Sequence, residues 1–231
     1  MDGAGGAGIA SDNAGSTTVR DVQVQNSGGA GILLTNTTET TTIIDSIIRG
    51  ATGPALHVNG GDGSIGMLSN STGLIPSFSH IENTSQQIIL IENLAAGGIV
   101  NTTGTTLEDT SGAGIDILNS AGSATVDNAR VVNSTATGIR VMNSSGIYNF
   151  RNSIQDNTFI SNAAEQSVLI DGLGANGQVT FNTLQIDGRN STGIDINTNG
   201  GRITFMDPVV LGTPNGGAGA GISVDGSTAG S

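Results

Sequence analysis

The chain contains no cysteine, no tryptophan and no lysine, so its seven basic residues are all arginines. The absence of cysteine excludes disulfides and thiolate metal sites. The arginines face 19 acidic residues, and the formal net charge of −12 disfavours nucleic acid and anionic membrane surfaces as partners. No run approaches the ~20 apolar residues of a membrane-spanning helix, so we expect no membrane insertion.

Aromatic residues make up 3% of the chain and charged residues 11%, while glycine occurs 37 times. A glycine-rich chain of low charge can be disordered. Here, however, 35% of the residues are hydrophobic, and they recur at fixed positions. Residues 107–119 and 131–143 show the repeated unit, in which an apolar residue and a turn residue are followed by Gly-Ile-x-Ile and a second turn residue. The chain is therefore predicted to be a folded repeat protein.

The repeat is clearest at nine apolar anchors, each followed two residues later by a second apolar residue in all copies but the first. The anchors are Ile9, Ile32, Leu56, Ile89, Ile115, Ile139, Val168, Ile194 and Ile222. A period of two is typical of a strand with one buried face. Four residues after the anchor stands Asn or Gly in every copy except Thr198. These residues tolerate positive φ, so the pattern predicts a recurring left-handed bend.

A second strand precedes seven of the nine anchors by eight residues and ends in its own Asn, Asp or Gly bend. Its inward residues are Val24, Ile48, Ile81, Leu107, Val131, Ile160 and Ile186, and we expect Val210 and Gly212 to continue the series, with four residues inserted within 213–220. A third strand is fainter, with the inward pairs Thr17/Val19, Thr41/Ile43, Ala124/Val126, Val179/Phe181 and Ile203/Phe205.

Three short parallel strands per repeat, with no helix between them, predict an all-β parallel β-helix of about eight turns and ~40 Å. Right-handed crossovers are the preferred connection between parallel strands. A β-sandwich would instead need hairpin turns, and these do not fit one corner at one offset. We therefore expect residues 1–231 to form a single β-helical domain, a fragment of a longer chain, with loop insertions near 60–77 and 146–157.

The Gly-Ile-x-Ile strands and Asn/Gly corners resemble the right-handed parallel β-helix proteins of the pectin-lyase-like superfamily. Within it, the chain is most similar to repeat segments of large bacterial surface and adhesin-type proteins. The resemblance covers nearly the whole chain and implies a right-handed coil and an extracellular or cell-surface location. Family enzymes include polysaccharide lyases, hydrolases and epimerases, but their catalytic pattern does not map onto these residues.

One outward row of the Gly-Ile-x-Ile strands carries His57, Leu90, Asp116 and Arg140. A general acid and base could be drawn from His57, Asp116 and Arg140. Two turns separate His57 from Asp116, about 10 Å by strand spacing, and Leu90 lies between them. We therefore favour a solvated face with an exposed Asp116–Arg140 ion pair and assign no catalytic residue.

A second outward row places Glu82 and Glu108 on successive turns, beside Asp109. Like charges about 5 Å apart are unfavourable unless a cation or a proton lies between them. These oxygen ligands predict a candidate calcium site, and calcium is the sole candidate cofactor. The alternatives are that the side chains point into water or that Arg49 offsets one charge. Residues 60–63 contain a single partial copy of a calcium-binding β-roll motif, which we interpret as a flexible loop.

The sequence thus favours a structural or adhesive rod segment of an extracellular bacterial protein. The alternative is a polysaccharide-active enzyme or a carbohydrate-binding module, for which Tyr148 and Phe159 are either stacking platforms or packing residues. A carbohydrate or cell-surface partner fits both functions. Neither end of the chain shows a capping repeat, so we also expect end-to-end self-association.

Overall fold

The computed structural model describes residues 2–3, 5–13, 15–68, 79–128, 130–151, 158–188, 190–197, 199–207, 209–212 and 221–226. Within these ranges the chain forms strands joined by bends and contains no helix. The strands are β1 (Ile9–Asp12), β2 (Thr17–Arg20), β3 (Gln23–Gln25), β4 (Ile32–Thr37), β5 (Thr40–Ile44), β6 (Ile47–Arg49), β7 (Leu56–Gly61), β8 (Ser64–Leu68), β9 (Ser79–Thr84), β10 (Ile89–Glu92), β11 (Ile99–Thr103), β12 (Thr105–Thr110), β13 (Ile115–Leu118), β14 (Ser123–Asp127), β15 (Arg130–Ser134), β16 (Ile139–Met142), β17 (Ile147–Arg151), β18 (Thr158–Ser161), β19 (Val168–Asp171), β20 (Gln178–Phe181), β21 (Leu184–Asp187), β22 (Ile194–Asn197), β23 (Arg202–Phe205), β24 (Val209–Leu211) and β25 (Ile222–Asp225).

Every third strand belongs to the same sheet. Sheet 1 has nine strands in the order β1-β4-β7-β10-β13-β16-β19-β22-β25, and sheet 2 has eight in the order β2-β5-β8-β11-β14-β17-β20-β23. Sheet 3 has eight, in the order β3-β6-β9-β12-β15-β18-β21-β24. Neighbouring strands within each sheet run parallel. This confirms the all-β parallel β-helix with three strands per turn.

The register confirms the predicted anchors. In sheet 1 Ile9 is paired with Ile32, and the series continues in register through Ile115 to Ile222. The second-strand series is likewise in register from Val24 to Ile186. The side chains of both series fill the interior, where most are fully buried.

One predicted position is wrong. Ile186 is paired with Leu211, not with Val210, whose side chain is 48% exposed. Leu211 instead packs against the core. The spacing from Leu211 to Ile222 exceeds the usual eight residues by three, so the insertion is one residue shorter than expected. Because β24 consists of three consecutive apolar residues, no alternation in its sequence indicates which residue points inward.

Sheet 2 is more regular than its sequence suggests. The predicted inward pairs are in register, and Ile65/Met67, Val100/Thr102 and Tyr148/Phe150 supply the rungs that the pattern missed. Phe181 stacks between Phe150 and Phe205, with ring centroids 5.0 and 5.4 Å away. Tyr148 is fully buried, so it is a packing residue and not an exposed platform.

The corners are where asparagine and glycine are needed. Positive φ occurs after sheet 1 at Asn13, Asn36, Gly60, Asn93, Asn119, Asn143, Gly172 and Gly226, and after sheet 3 at Asn26, Gly50, Asn83, Asp109, Asn133, Asn162 and Gly188. Asp21, Asp45 and Asn128 do the same after sheet 2. Thr198 lies outside the described residues. Gly212 lacks a positive φ, as expected once Leu211 and not Val210 occupies the inward position.

Corner side chains bond along the coil. Asn133 Nδ2 donates to Asp109 Oδ1 at 2.9 Å, and Asn162 Nδ2 donates to Asn133 Oδ1 at 3.1 Å. On the next edge, Asn93 Nδ2 donates to Asn59 Oδ1 at 3.1 Å. Asn133 thus both donates and accepts along the coil, and these bonds tie successive turns together outside the sheets.

Each of the two predicted loop insertions includes a strand of sheet 2. Residues 60–77 include β8, which pairs with β5 and β11, and residues 146–157 include β17, which pairs with β14 and β20. Residues 69–77 and 152–157 lie outside the described residues. The Gly60–Gly63 stretch is not a flexible loop. Gly61 has φ +90°, and a Cβ there would lie 2.2 Å from the Thr37 carbonyl oxygen, so the backbone is tightly packed.

Candidate functional surfaces

The Asp116–Arg140 pair on the outer face of sheet 1 is not fully exposed as expected, because Asp116 is buried while the Arg140 side chain is 29% exposed. Arg140 Nε donates to Asp116 Oδ1 at 2.9 Å, and Nη2 donates to Oδ2 at 2.5 Å. Gln87 Nε2, from the corner before β10, adds a third hydrogen bond to Oδ2 at 3.1 Å. Asp116 is consequently inaccessible to solvent. The hydrogen bond to Asp116 raises the pKa of Arg140, so the guanidinium stays charged.

His57 does not join that pair. Leu90 lies between His57 and Asp116 in the sheet, as predicted, and is itself almost fully buried. His57 Nε2 lies 2.8 Å from Glu92 Oε1, in a half-buried contact with the next strand. Neither Glu92 nor Gln87 was predicted from the sequence as a partner. Diagonal pairing between adjacent strands could have indicated Glu92, whereas Gln87 reaches its partner from a bend that no strand pattern places.

The three predicted calcium ligands lie on sheet 3 and its corner. Arg49, Glu82 and Glu108 occupy one row on successive strands. Arg49 Nε lies 2.5 Å from Glu82 Oε1, and Asp109 accepts the hydrogen bond from Asn133. Two of the three carboxylates therefore already have protein partners. Among the described residues no three His, Cys, Asp or Glu side chains cluster in a way that could hold a metal. Calcium at Glu82, Glu108 and Asp109 stays a prediction.

Phe159, the other aromatic candidate, lies on the outer face of sheet 3 beside Arg130. The guanidinium carbon of Arg130 is 5.1 Å from the centre of the Phe159 ring, a cation–π contact. The ring is half-buried under this contact, so one of its faces is already occupied.

The outer face of sheet 2 carries a surface that the sequence analysis did not identify. Its central row contains only uncharged polar residues and one glycine. The row consists of Thr18, Thr42, Gly66, Asn101, Thr125, Asn149, Thr180 and Thr204, all in register. Parallel strands repeat every ~4.7–4.9 Å, so these groups form a regular array along the coil. The alternation of sheet 2 itself could have revealed it.

An open cleft borders this row at the corner between sheets 1 and 2. It is lined by residues 96–99, 121–123 and 145–147 and by Asn176. Its floor is made of small residues because the backbones approach closely, and a Cβ on Gly146 would lie 1.7 Å from the Gly122 carbonyl oxygen. Ile99 and Ile147 stand at its rim, 42% and 44% exposed. The cleft thus combines apolar contact area with hydroxyl and amide groups.

No helix long and apolar enough to cross a bilayer is found in the part of the chain that the structure describes. A search of the curated proteins found no match, and a search of the solved structures found none. The family model described as "Right handed beta helix region" matches residues 2–159, more than half of the chain. Together with three parallel sheets in continuous register, this match confirms the right-handed coil, and the chain belongs to the right-handed β-helix family.

Proposed function

We propose that this chain is a structural rod segment of an extracellular or cell-surface bacterial protein and performs no catalysis. The observation that carries the proposal is the continuous register of the three sheets from β1 to β25. Sheet hydrogen bonds, a shared core and the corner ladders all act along one axis. Such a coil is a stiff spacer, because each turn rests on its neighbours over its full circumference.

The outer faces support a structural role. The three groups from which a general acid and base could be drawn already have protein partners: His57 contacts Glu92, and Asp116 and Arg140 bond to each other. Asp116 is inaccessible to solvent and therefore to a substrate. Arg140 is held by two hydrogen bonds and has a raised pKa, so it is a poor proton acceptor.

The test is an assay for new chain ends. The protein is incubated with pectate, alginate and related polymers, with and without added calcium, and the products are analysed for unsaturated and reducing ends. We expect none above a heat-denatured control. New ends that appear with the native protein would overturn the structural role. Variants of His57 and of the ion pair on sheet 2, in which Arg151 Nε lies 3.7 Å from Asp127 Oδ2, would then locate the activity: His57→Ala, Asp127→Ala and Arg151→Ala.

Carbohydrate binding is a second candidate function, favoured by the outer face of sheet 2. Asn101, Thr125 and Asn149 offer hydrogen-bonding groups beside the cleft, with Ile99 and Ile147 as apolar contacts. A polysaccharide laid along the coil would meet these groups at every turn. Protein–ligand surfaces of this kind combine a few polar groups with apolar area.

Binding can be tested by retardation of the native protein in gels that contain soluble polysaccharides. Retardation that is lost in an Asn101→Ala/Thr125→Ala/Asn149→Ala variant would support this second function. The matched control is Gln25→Ala/Ser161→Ala/Gln185→Ala on the outer face of sheet 3, which should be retarded like the unmodified chain. Equal retardation of all three proteins, or none, would count against the sheet 2 face.

A further inference from the structure

Several asparagines of the chain are followed directly by glycine, the neighbour that leaves its own backbone nitrogen least hindered. In such a pair the glycine nitrogen can attack the asparagine side chain. Three pairs lie within the described residues, Asn59-Gly60, Asn176-Gly177 and Asn199-Gly200, whereas Asn215-Gly216 lies outside them. Because the local chemistry is the same in all three described pairs, the fold decides which of them reacts.

Asn176 is the most accessible of the three. It is exposed, it lies in the turn between β19 and β20, and it forms part of the wall of the open cleft. Its side chain makes no hydrogen bond to any other residue that the structure describes. The Gly177 amide donates to the Gly174 carbonyl at 2.8 Å, which is the bond that closes the turn. Breaking this one bond frees the Gly177 nitrogen.

The other two pairs are held by more contacts. Asn199 is 8% exposed, its Oδ1 accepts from the Gly201 amide at 3.1 Å, and the Gly200 amide already donates to a backbone carbonyl at 2.8 Å. Asn59 lies inside β7, which is paired with β4 on one side and with β10 on the other, and its Oδ1 accepts from Asn93. Reaction at either asparagine therefore requires a larger local opening of the fold than at Asn176.

We propose that the fold leaves Asn176, alone among these three asparagines, open to spontaneous deamidation. The Gly177 nitrogen loses its proton and bonds to the side-chain carbonyl carbon of Asn176. The bond from that carbon to the side-chain nitrogen breaks, and the nitrogen leaves as ammonia with the proton. Water then opens the cyclic imide at one of its two carbonyls, which yields aspartate or isoaspartate. Base accelerates the first step, because the nitrogen attacks after losing its proton.

The product carries a charge that the cleft otherwise lacks. Every residue that lines the cleft, Asn176 included, is uncharged. A carboxylate at position 176 makes one wall of the cleft acidic, and isoaspartate also lengthens the main chain of the turn by one carbon. This slow and irreversible change of the surface occurs whether or not a ligand binds there.

Peptide mapping tests the proposal, because cleavage at the arginines places each Asn-Gly pair in a different peptide. The native chain is incubated at mildly alkaline pH, and mass spectrometry follows the exchange of an amide for a carboxyl group. We expect Asn176 to convert at least about tenfold faster than Asn59 and Asn199. In urea, where the fold is lost, the three rates should converge. Equal rates in the native chain, or a difference that persists in urea, would overturn the proposal.

Two variants assign the reaction to one residue. Asn176→Gln lengthens the side chain, so that closure requires a larger imide ring, and its peptide should stay unchanged over the same period. The matched control, Asn182→Gln, alters another asparagine of the same peptide and should convert like the unmodified chain. Loss of the reaction in both variants, or in neither, would contradict the assignment to Asn176.

Discussion

At the scale of single residues, the corners carry the strictest requirement. Asn133 has φ +55°, and its side chain both donates to Asp109 and accepts from Asn162. A β-branched residue fits this backbone poorly, while asparagine and glycine tolerate it. The corners could therefore be predicted from the sequence, because the requirement for positive φ restricts a single position of each corner to a few residue types.

Replacing Asn133 by valine should lower the free energy of unfolding by about 1–2 kcal/mol through backbone strain and the lost ladder bonds. Asn133→Gly should lose less, because glycine removes the strain although not the bonds. Urea unfolding measures both, with Ser161→Val on an outward strand position as the control for adding a β-branched side chain. An Asn133→Val variant as stable as that control would disprove the strained corner.

Tyr148 offers a second residue-scale test, since it is the sole tyrosine and the chain lacks lysine. Its hydroxyl donates to the Ser120 carbonyl at 2.6 Å, and burial raises its pKa above the usual value of 10. The folded state thus retains the proton that the unfolded state loses. The resulting stability is complete below about pH 10 and falls as the pH rises through the folded-state pKa.

The tyrosinate absorbance should therefore titrate at higher pH in the folded protein than in urea. Tyr148→Phe loses a hydrogen bond and should be less stable at neutral pH, yet its stability should decline less between pH 9 and 11. The difference in slope between the two proteins is the measurement. Coincident folded and unfolded titrations would show that the phenol is not protected.

At the scale of the sheets, the burial of Asp116 beneath Arg140 is the feature that the sequence could not predict. The alternation correctly assigned Asp116 to the outer face. It could not show that Arg140 and Gln87 cover the carboxylate, because Gln87 comes from a bend outside the periodic strand. Burial of an outward residue depends on such neighbours, and a two-residue period carries no information about them.

Removing one partner of this pair should lower the stability of the folded chain. Arg140→Leu leaves Asp116 buried without its cation and should destabilise the chain by roughly 3 kcal/mol. Asp116→Leu/Arg140→Leu joins Leu90 and Leu169 in one apolar row and should recover most of that loss. Thermal unfolding of the two variants decides between them. If the double variant is as unstable as the single one, the pair contributes more than charge compensation.

The row that contains Arg49, Glu82 and Glu108 on sheet 3 gives the calcium test. Because Arg49 already offsets Glu82, we expect a chelator to leave the melting temperature unchanged. A fall in melting temperature with chelator, reversed by added calcium and absent in Glu108→Gln, would instead establish the ion at Glu82, Glu108 and Asp109. Glu165→Gln, away from this row, is the control for loss of one carboxylate.

At the scale of the whole molecule, the coil and nearly all of its register could be predicted from the recurring anchors and corners. The register failure has a clear cause. Val210 lies in a run of three apolar residues, so alternation does not indicate which of them points inward. Where alternation is lost, the pairing partner and not the local sequence decides the register. In sheet 2 the inward series is harder to recognise because Thr102 occupies one of its buried positions.

The net charge of −12 should itself influence stability. Since acidic residues outnumber basic ones along a stack with turns about 5 Å apart, repulsion opposes the compact state. Sodium chloride should therefore raise the melting temperature. An Asp62→Asn/Glu39→Gln variant, which lacks two exposed carboxylates, should show a smaller rise. A melting temperature that falls with salt would indicate that ion pairs such as Arg49–Glu82 dominate.

The single winding direction of the chain has a mechanical consequence. The hydrogen bonds of all three sheets point along the axis from one turn to the next. Tension applied between the two termini therefore breaks the hydrogen bonds of one terminal turn before those of the next. Each turn of about 25 residues would release roughly 80–90 Å of chain at 3.3–3.6 Å per residue. A coil loaded in this way lengthens in steps, so it can absorb a sudden pull while its remaining turns stay folded.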